Sequence, residues 1–145
     1  GMVPKAEWNK AMSDLDSDEE SNVKIINLGD PAANKNPEPS TYYTFAMFYK
    51  IPKKHKGFKE EGTLFGTFQA KIPTINDKAS LRGGLEPEAF DTETSFMIRS
   101  KAYLQVVLLE KPKWFDLDTM VDYDMLTSVF IKTQEQEMFF RGEAL

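Results

Sequence analysis

Asp14, Asp16 and Asp18 alternate as the opening ligands of a calcium loop do. Such a loop also needs Gly at its sixth position and a bidentate Glu at its twelfth. Here those positions hold Glu19 and Ile25, so the turn and the closing ligand are both missing, and the stretch reads as an unstructured acidic tail. A second group, Lys50, Lys53, Lys54, Lys56 and Lys59, places five ammonium groups in ten residues beside aromatic-rich strands. That is the chemistry of phosphate contact with base-stacking platforms nearby. A hairpin tip is also where solvated lysines ordinarily sit, and no arginine joins these, so the balance goes against nucleic acid. His55, the one histidine, lies among those lysines, which disfavour its protonation. It has neither the carboxylate partners of a zinc site nor the oriented base of a nucleophilic triad beside it.

The remaining chemistry is thin. The chain of 145 residues has no cysteine, which excludes disulfides, thiolate metal sites and thiol catalysis. Arg82-Gly83-Gly84 is a single step that reads as a helix end, and there is no phosphate-cradling glycine motif. No catalytic, cofactor-binding or metal-binding residue is assigned, and the expectation is a protein that is not an enzyme and carries no cofactor. Gly1 before Met2 reads as a cleavage scar, and Met2 is followed by polar residues without the apolar run of a leader. The longest aliphatic run, Leu104 to Leu109, is interrupted by Gln105 and is far too short to span a bilayer. No membrane association and a cytoplasmic location are therefore expected.

The net charge of −5 is uneven: residues 1–40 carry −4, residues 41–82 carry +5 and residues 83–145 carry −6. A basic middle between acidic ends points to self-complementary contacts or an electropositive patch, with solvated faces as the plainer explanation. Residues 1–40 read as a largely flexible acidic and Pro-rich arm, with few apolar groups to offset the entropy of ordering. Within it, Val23 to Leu28 has the content of a strand and can add at a sheet edge.

From Thr41 to the end the pattern is that of one α+β domain, residues 41–145. Tyr43, Phe45, Met47 and Tyr49 share a face by period two. Leu64, Gly66, Phe68, Ala70 and Ile72 do so in a second run, with Thr67, Gln69 and Lys71 opposite. The two runs predict an antiparallel hairpin joined by residues 51–62, which needs a further layer because a lone hairpin is marginal. Ile75 to Arg82 predicts a short helix ended by Gly83-Gly84. Asp91 or Thr92 can cap a long helix with Met97, Leu104, Val107 and Leu108 on one stripe, running on to Pro112. A second long helix follows the acidic stretch Asp116–Asp124 and carries Leu126, Val129, Phe130, Thr133 and Phe140 near one face. The expected architecture is an antiparallel hairpin or small sheet packed on a bundle of two long helices and one short one.

Trp114-Phe115 and Met138-Phe139-Phe140 are the residues left over. The plain explanation makes them core anchors. The sharper one follows from the last helix, whose apolar stripe fades between Thr133 and Glu137. Its final turn then holds more apolar surface than one face can hide, which suits contact with an apolar partner.

Four segments carry a family resemblance. They are Gly66-Thr67-Phe68-Gln69-Ala70-Lys71-Ile72-Pro73-Thr74-Ile75; Tyr103-Leu104-Gln105-Val106-Val107-Leu108-Leu109; the connector Glu110-Lys111-Pro112-Lys113-Trp114-Phe115; and Leu126 to Gly142. In these, and in element order over residues 62–142, the chain resembles small proteins of tailed phages and prophages that act as tail assembly chaperones or are encoded beside them. The resemblance implies a non-enzymatic protein of the host bacterial cytoplasm. It would bind a long tape-measure protein, shield its apolar helices until the tail tube assembles, and then leave. The contacts expected from the stripe argument are Met138, Phe139 and Phe140, with Trp114 and Phe115 behind them. Two alternatives stay open: a structural tail or neck component of the virion, and a nucleic-acid-binding regulator using the basic hairpin loop.

Overall fold

The computed structural model describes residues 3–17, 22–28, 41–51, 62–83 and 92–142. Its elements run α1 (Lys5–Ser17), β1 (Val23–Leu28), β2 (Tyr42–Lys50), β3 (Thr63–Lys71), α2 (Ile75–Gly83), α3 (Thr92–Val107), β4 (Leu108–Glu110) and α4 (Tyr123–Phe140). The chain is α+β. The four strands form one sheet in the order β1-β2-β3-β4 with every neighbour antiparallel.

The sheet is built on the aromatic-rich pair. β2 and β3 match along their whole length, with Phe45 opposite Phe68, Met47 opposite Gly66 and Tyr49 opposite Leu64. Alternation puts these six residues on one face, where Ile25 and Val23 of β1 join them. That face meets Tyr103, Leu104 and Val107 of α3, Met125, Leu126 and Val129 of α4, and Phe115 of the connector, forming the main core. Phe45 and Phe68 stack at 4.8 Å, and Phe115 meets Phe68 edge-on at 5.2 Å. Such pairs add to area burial because ring edges and faces carry opposite partial charge.

The opposite face is apolar too, and this is where the expected architecture is corrected. Phe48 and Phe65 are cross-strand neighbours pointing away from the main core, with Ile26 beside them. α1 covers them. Its Trp8, Ala11, Met12 and Leu15 follow the i, i+3, i+4, i+7 spacing of a helical stripe. Trp8 packs on Phe48 at 4.8 Å and on Phe65 at 4.6 Å. Asp14 pairs with Lys24 and Asp16 with Lys50 at the margin. Part of the stretch read as an arm is thus a third layer. Residues 1–2, 18–21 and 29–40 of that arm, with Asp18 and Glu19 of the acidic stretch, lie outside the described residues.

A second correction concerns residues 108–110. They were expected to continue α3 to Pro112, but the helix ends at Val107 and Leu108–Glu110 forms β4. Ala70 pairs with Leu108 and Gln69 with Glu110, so Leu109 bulges out of register. The connector then closes on β3. Trp114 Nε1 donates to the Phe65 carbonyl at 3.1 Å, and the Lys111 ammonium donates to the Phe115 carbonyl at 2.8 Å. Gly66 makes this approach possible: a Cβ there would lie 2.1 Å from Pro112 Cγ and 3.1 Å from Trp114 Cζ2. Among the described residues, no helix is long and apolar enough to cross a membrane.

Candidate partner-binding site

The residues singled out at the carboxyl end fall in two places. Trp114 and Phe115 pack on β3. Phe115 is fully buried against Phe68, and Trp114 is half-buried with its indole N–H committed to Phe65. Phe115 is therefore a core anchor and offers no partner contact, since its surface is spent on the main core. Met138, Phe139 and Phe140 end α4. Met138 and Phe140 are half-buried, whereas Phe139 is 44% exposed. Ile131, two turns earlier, is 49% exposed and lies nearly in line with Met138 around the helix.

α4 is held so that this surface points outward. Asp122 is its N-cap, with extended backbone, and its side chain accepts from the Asp124 amide at 2.9 Å. Burial pushes the Asp122 carboxyl above its ordinary value, with the Asp124 amide pulling the other way. The buried side of the helix runs through Met125, Leu126, Val129, Thr133 and Glu137. The sequence stripe that fades between Thr133 and Glu137 thus continues inward through these two polar residues, each with a partner. Thr133 Oγ1 donates to the Phe130 carbonyl at 2.7 Å. Lys132 is half-buried and donates to Asn27 Oδ1 of β1. Burial lowers its pKa.

Glu137 is the residue that sequence reasoning missed. It is 7% exposed and gathers three elements around its carboxylate. Tyr103 of α3 donates its hydroxyl to Oε1 at 3.0 Å, Lys78 of α2 sits 3.0 Å from the same oxygen, and Arg141 Nε lies 3.6 Å from Oε2. The Lys78 ammonium also stands 5.5 Å over the Tyr103 ring. Burial, and then the charge of Glu137, push the Tyr43 and Tyr103 phenols well above their ordinary value. Both stay protonated, and the Tyr43 hydroxyl is buried with no hydrogen-bond partner among the described residues. Protonated phenols around a doubly paired carboxylate supply neither a nucleophile nor a free base. The arrangement is a clamp fixing the last turns of α4 onto α2 and α3. The signal for it was Thr133 and Glu137 at i, i+4, two polar residues continuing an apolar face.

Of the basic patch, Lys50 is described and pairs with Asp16 at 3.5 Å. Lys53, Lys54, Lys56 and Lys59, with His55, lie outside the described residues. Among the described residues, no group of three His, Asp or Glu side chains is placed to hold a metal ion. Comparison with protein-family models, with curated proteins and with solved structures finds no match.

Proposed function

We propose that this chain is a non-enzymatic assembly protein that binds an apolar helical client through the end of α4. The observation that carries the reading is Phe139. It is a large aromatic residue left 44% exposed on a helix turn that the Glu137 clamp holds in place. Exposed aromatic groups on a rigid turn make binding anchors, because little freedom is lost when a partner covers them. Met138, Phe140 and Ile131 widen the patch, with the outer edge of Trp114 as a separate contact.

The resemblance to phage and prophage tail assembly chaperones supplies the client: a tape-measure protein whose long apolar helices need cover in the bacterial cytoplasm. A charged surround keeps a protein with such a patch dispersed. Co-expression with a tape-measure protein tests this. Wild type is expected to keep the client soluble. Phe139→Asp is expected to lose that effect while its own stability shifts by less than about 0.5 kcal/mol, as exposed positions do. Reversal of Lys53, Lys54 and Lys56 is expected to leave the effect intact. Loss of the effect on lysine reversal alone would move the reading to the nucleic-acid regulator. Finding the protein in purified virions would move it to a structural tail or neck component.

A further inference from the structure

The second face of the sheet carries a different surface. Beneath α1 lie Phe48, Phe65 and Ile26, an apolar strip across three strands, bordered by Lys24 and Lys50. What this strip accepts is on view, because α1 occupies it. Its occupant is an amphipathic helix with an aromatic or aliphatic residue at i, i+3, i+4 and i+7 and with acids facing the two lysines.

α1 fills that surface incompletely. Only Ala11 and Leu15 are fully buried, while Trp8 remains 36% exposed. Phe65 is half-buried and Thr67, next on the same face of β3, is exposed. Both ion pairs are open to water: the side chains of Lys24 and Asp14 are 39% and 42% exposed, and those of Lys50 and Asp16 are 40% and 71%. Exposed pairs of this kind add little. A helix of 13 residues is also too short to hold its own shape in water, so α1 stays helical only while docked. The groove is therefore specific in shape and charge, yet lightly held by its resident.

We infer that this face is a second helix-docking surface, for an acidic amphipathic helix of a partner protein, and that α1 keeps it covered in cis until the partner displaces it. Exchange of α1 between two copies would only reproduce the contacts already made. A longer partner helix gains by covering Phe65 and the β3 side that α1 leaves open. The inference stands apart from the patch at the end of α4 and does not depend on it.

The test uses the full chain and a fluorescent synthetic peptide with the sequence of residues 3–17. Binding is read by anisotropy, and the resident helix by amide hydrogen exchange. The peptide is expected to bind saturably and, at saturation, to speed exchange in α1 by at least about tenfold while β2 and α4 keep their rates. A peptide with Asp14→Lys and Asp16→Lys is expected to bind at least about tenfold more weakly at low salt, because it brings like charges to Lys24 and Lys50. Loosening the resident with Leu15→Asp, or more gently with Trp8→Ala, is expected to tighten binding of the unmodified peptide by about tenfold or more. Three results overturn the inference: no saturable binding to wild type or to Trp8→Ala; binding that leaves α1 exchange unchanged; or a dimer formed by exchange of α1 between copies. Phe139→Asp is expected to leave peptide binding unaltered, so failure here and failure of the α4 patch are separable.

Discussion

Two buried carboxylates hold α4, Asp122 as its N-cap and Glu137 near its end, and each yields a measurement. Glu137 is held by a phenol and two cations, so its loss strands the Tyr103 hydroxyl where water does not reach. Glu137→Ala is expected to cost about 2–3 kcal/mol, below the figure for a fully enclosed pair because Lys78 can turn back to solvent. Glu137→Gln keeps an acceptor for Tyr103 and is expected to cost about 1 kcal/mol. Urea midpoints of the two variants give the comparison. Asp122 has its carboxyl raised by burial, so the folded state holds its proton to higher pH than the unfolded chain does. Its contribution therefore favours folding most at low pH. It is lost as pH rises from the ordinary carboxylate value of 3.8 through the raised one. Asn is an equally good N-cap and does not ionise. Asp122→Asn is expected to gain on wild type across that window and to hold a constant advantage above it. A stability difference that stays flat from pH 3 to 7 would refute this.

At the scale of elements, the decisive contact is the closure of the connector on β3. Gly66 lies under the Pro112 ring, which is rigid and cannot swing aside as a long side chain would. Gly66→Ala is expected to destabilise by about 1–3 kcal/mol through overpacking and to disturb the near-ultraviolet signal of Trp114. Adding Pro112→Gly removes both ring atoms and is expected to recover part of the loss, a coupling that a double-mutant cycle measures. The hairpin was legible in the sequence because each strand has one wholly apolar face, Phe45, Met47 and Tyr49 against Leu64, Phe68 and Ala70. β4 was not, since an unbroken run such as Val106 to Leu109 fits a buried strand as well as a helix. α1 was hidden by composition: Leu15 sits inside the acidic run that begins at Asp14, and polar residues surround Trp8, Ala11 and Met12, so the segment reads as a tail. The telling residues were Phe48 and Phe65, which point off the hairpin on the side no predicted element covered. The exposed end of α4 was legible from Met138-Phe139-Phe140, whereas its clamp needed the tertiary meeting of Lys78, Tyr103 and Glu137.

For the molecule as a whole, the uneven charge has a structural use. Lys24 pairs with Asp14 inside the acidic first segment, and the basic middle meets the acidic ends at Lys50 with Asp16 and at Lys78 with Glu137. These pairs differ in setting. The first two hold α1 at the open margin of the sheet, while the third is anchored by a carboxylate only 10% exposed. Salt should therefore act on the layers unequally. Raising NaCl from 0.05 M to 1 M shortens the reach of exposed charges to about 3 Å and leaves buried pairs largely unscreened. Amide exchange in α1 is expected to rise by about two- to fivefold, the worth of two weak surface pairs. Exchange at Leu104, Val107 and Val129, all fully buried in the main core, is expected to stay constant. A uniform change across α1, the sheet and α4 would mean that the first helix opens only with the whole domain. A change confined to α1 would make it a separately opening layer, set by the ionic conditions around the protein.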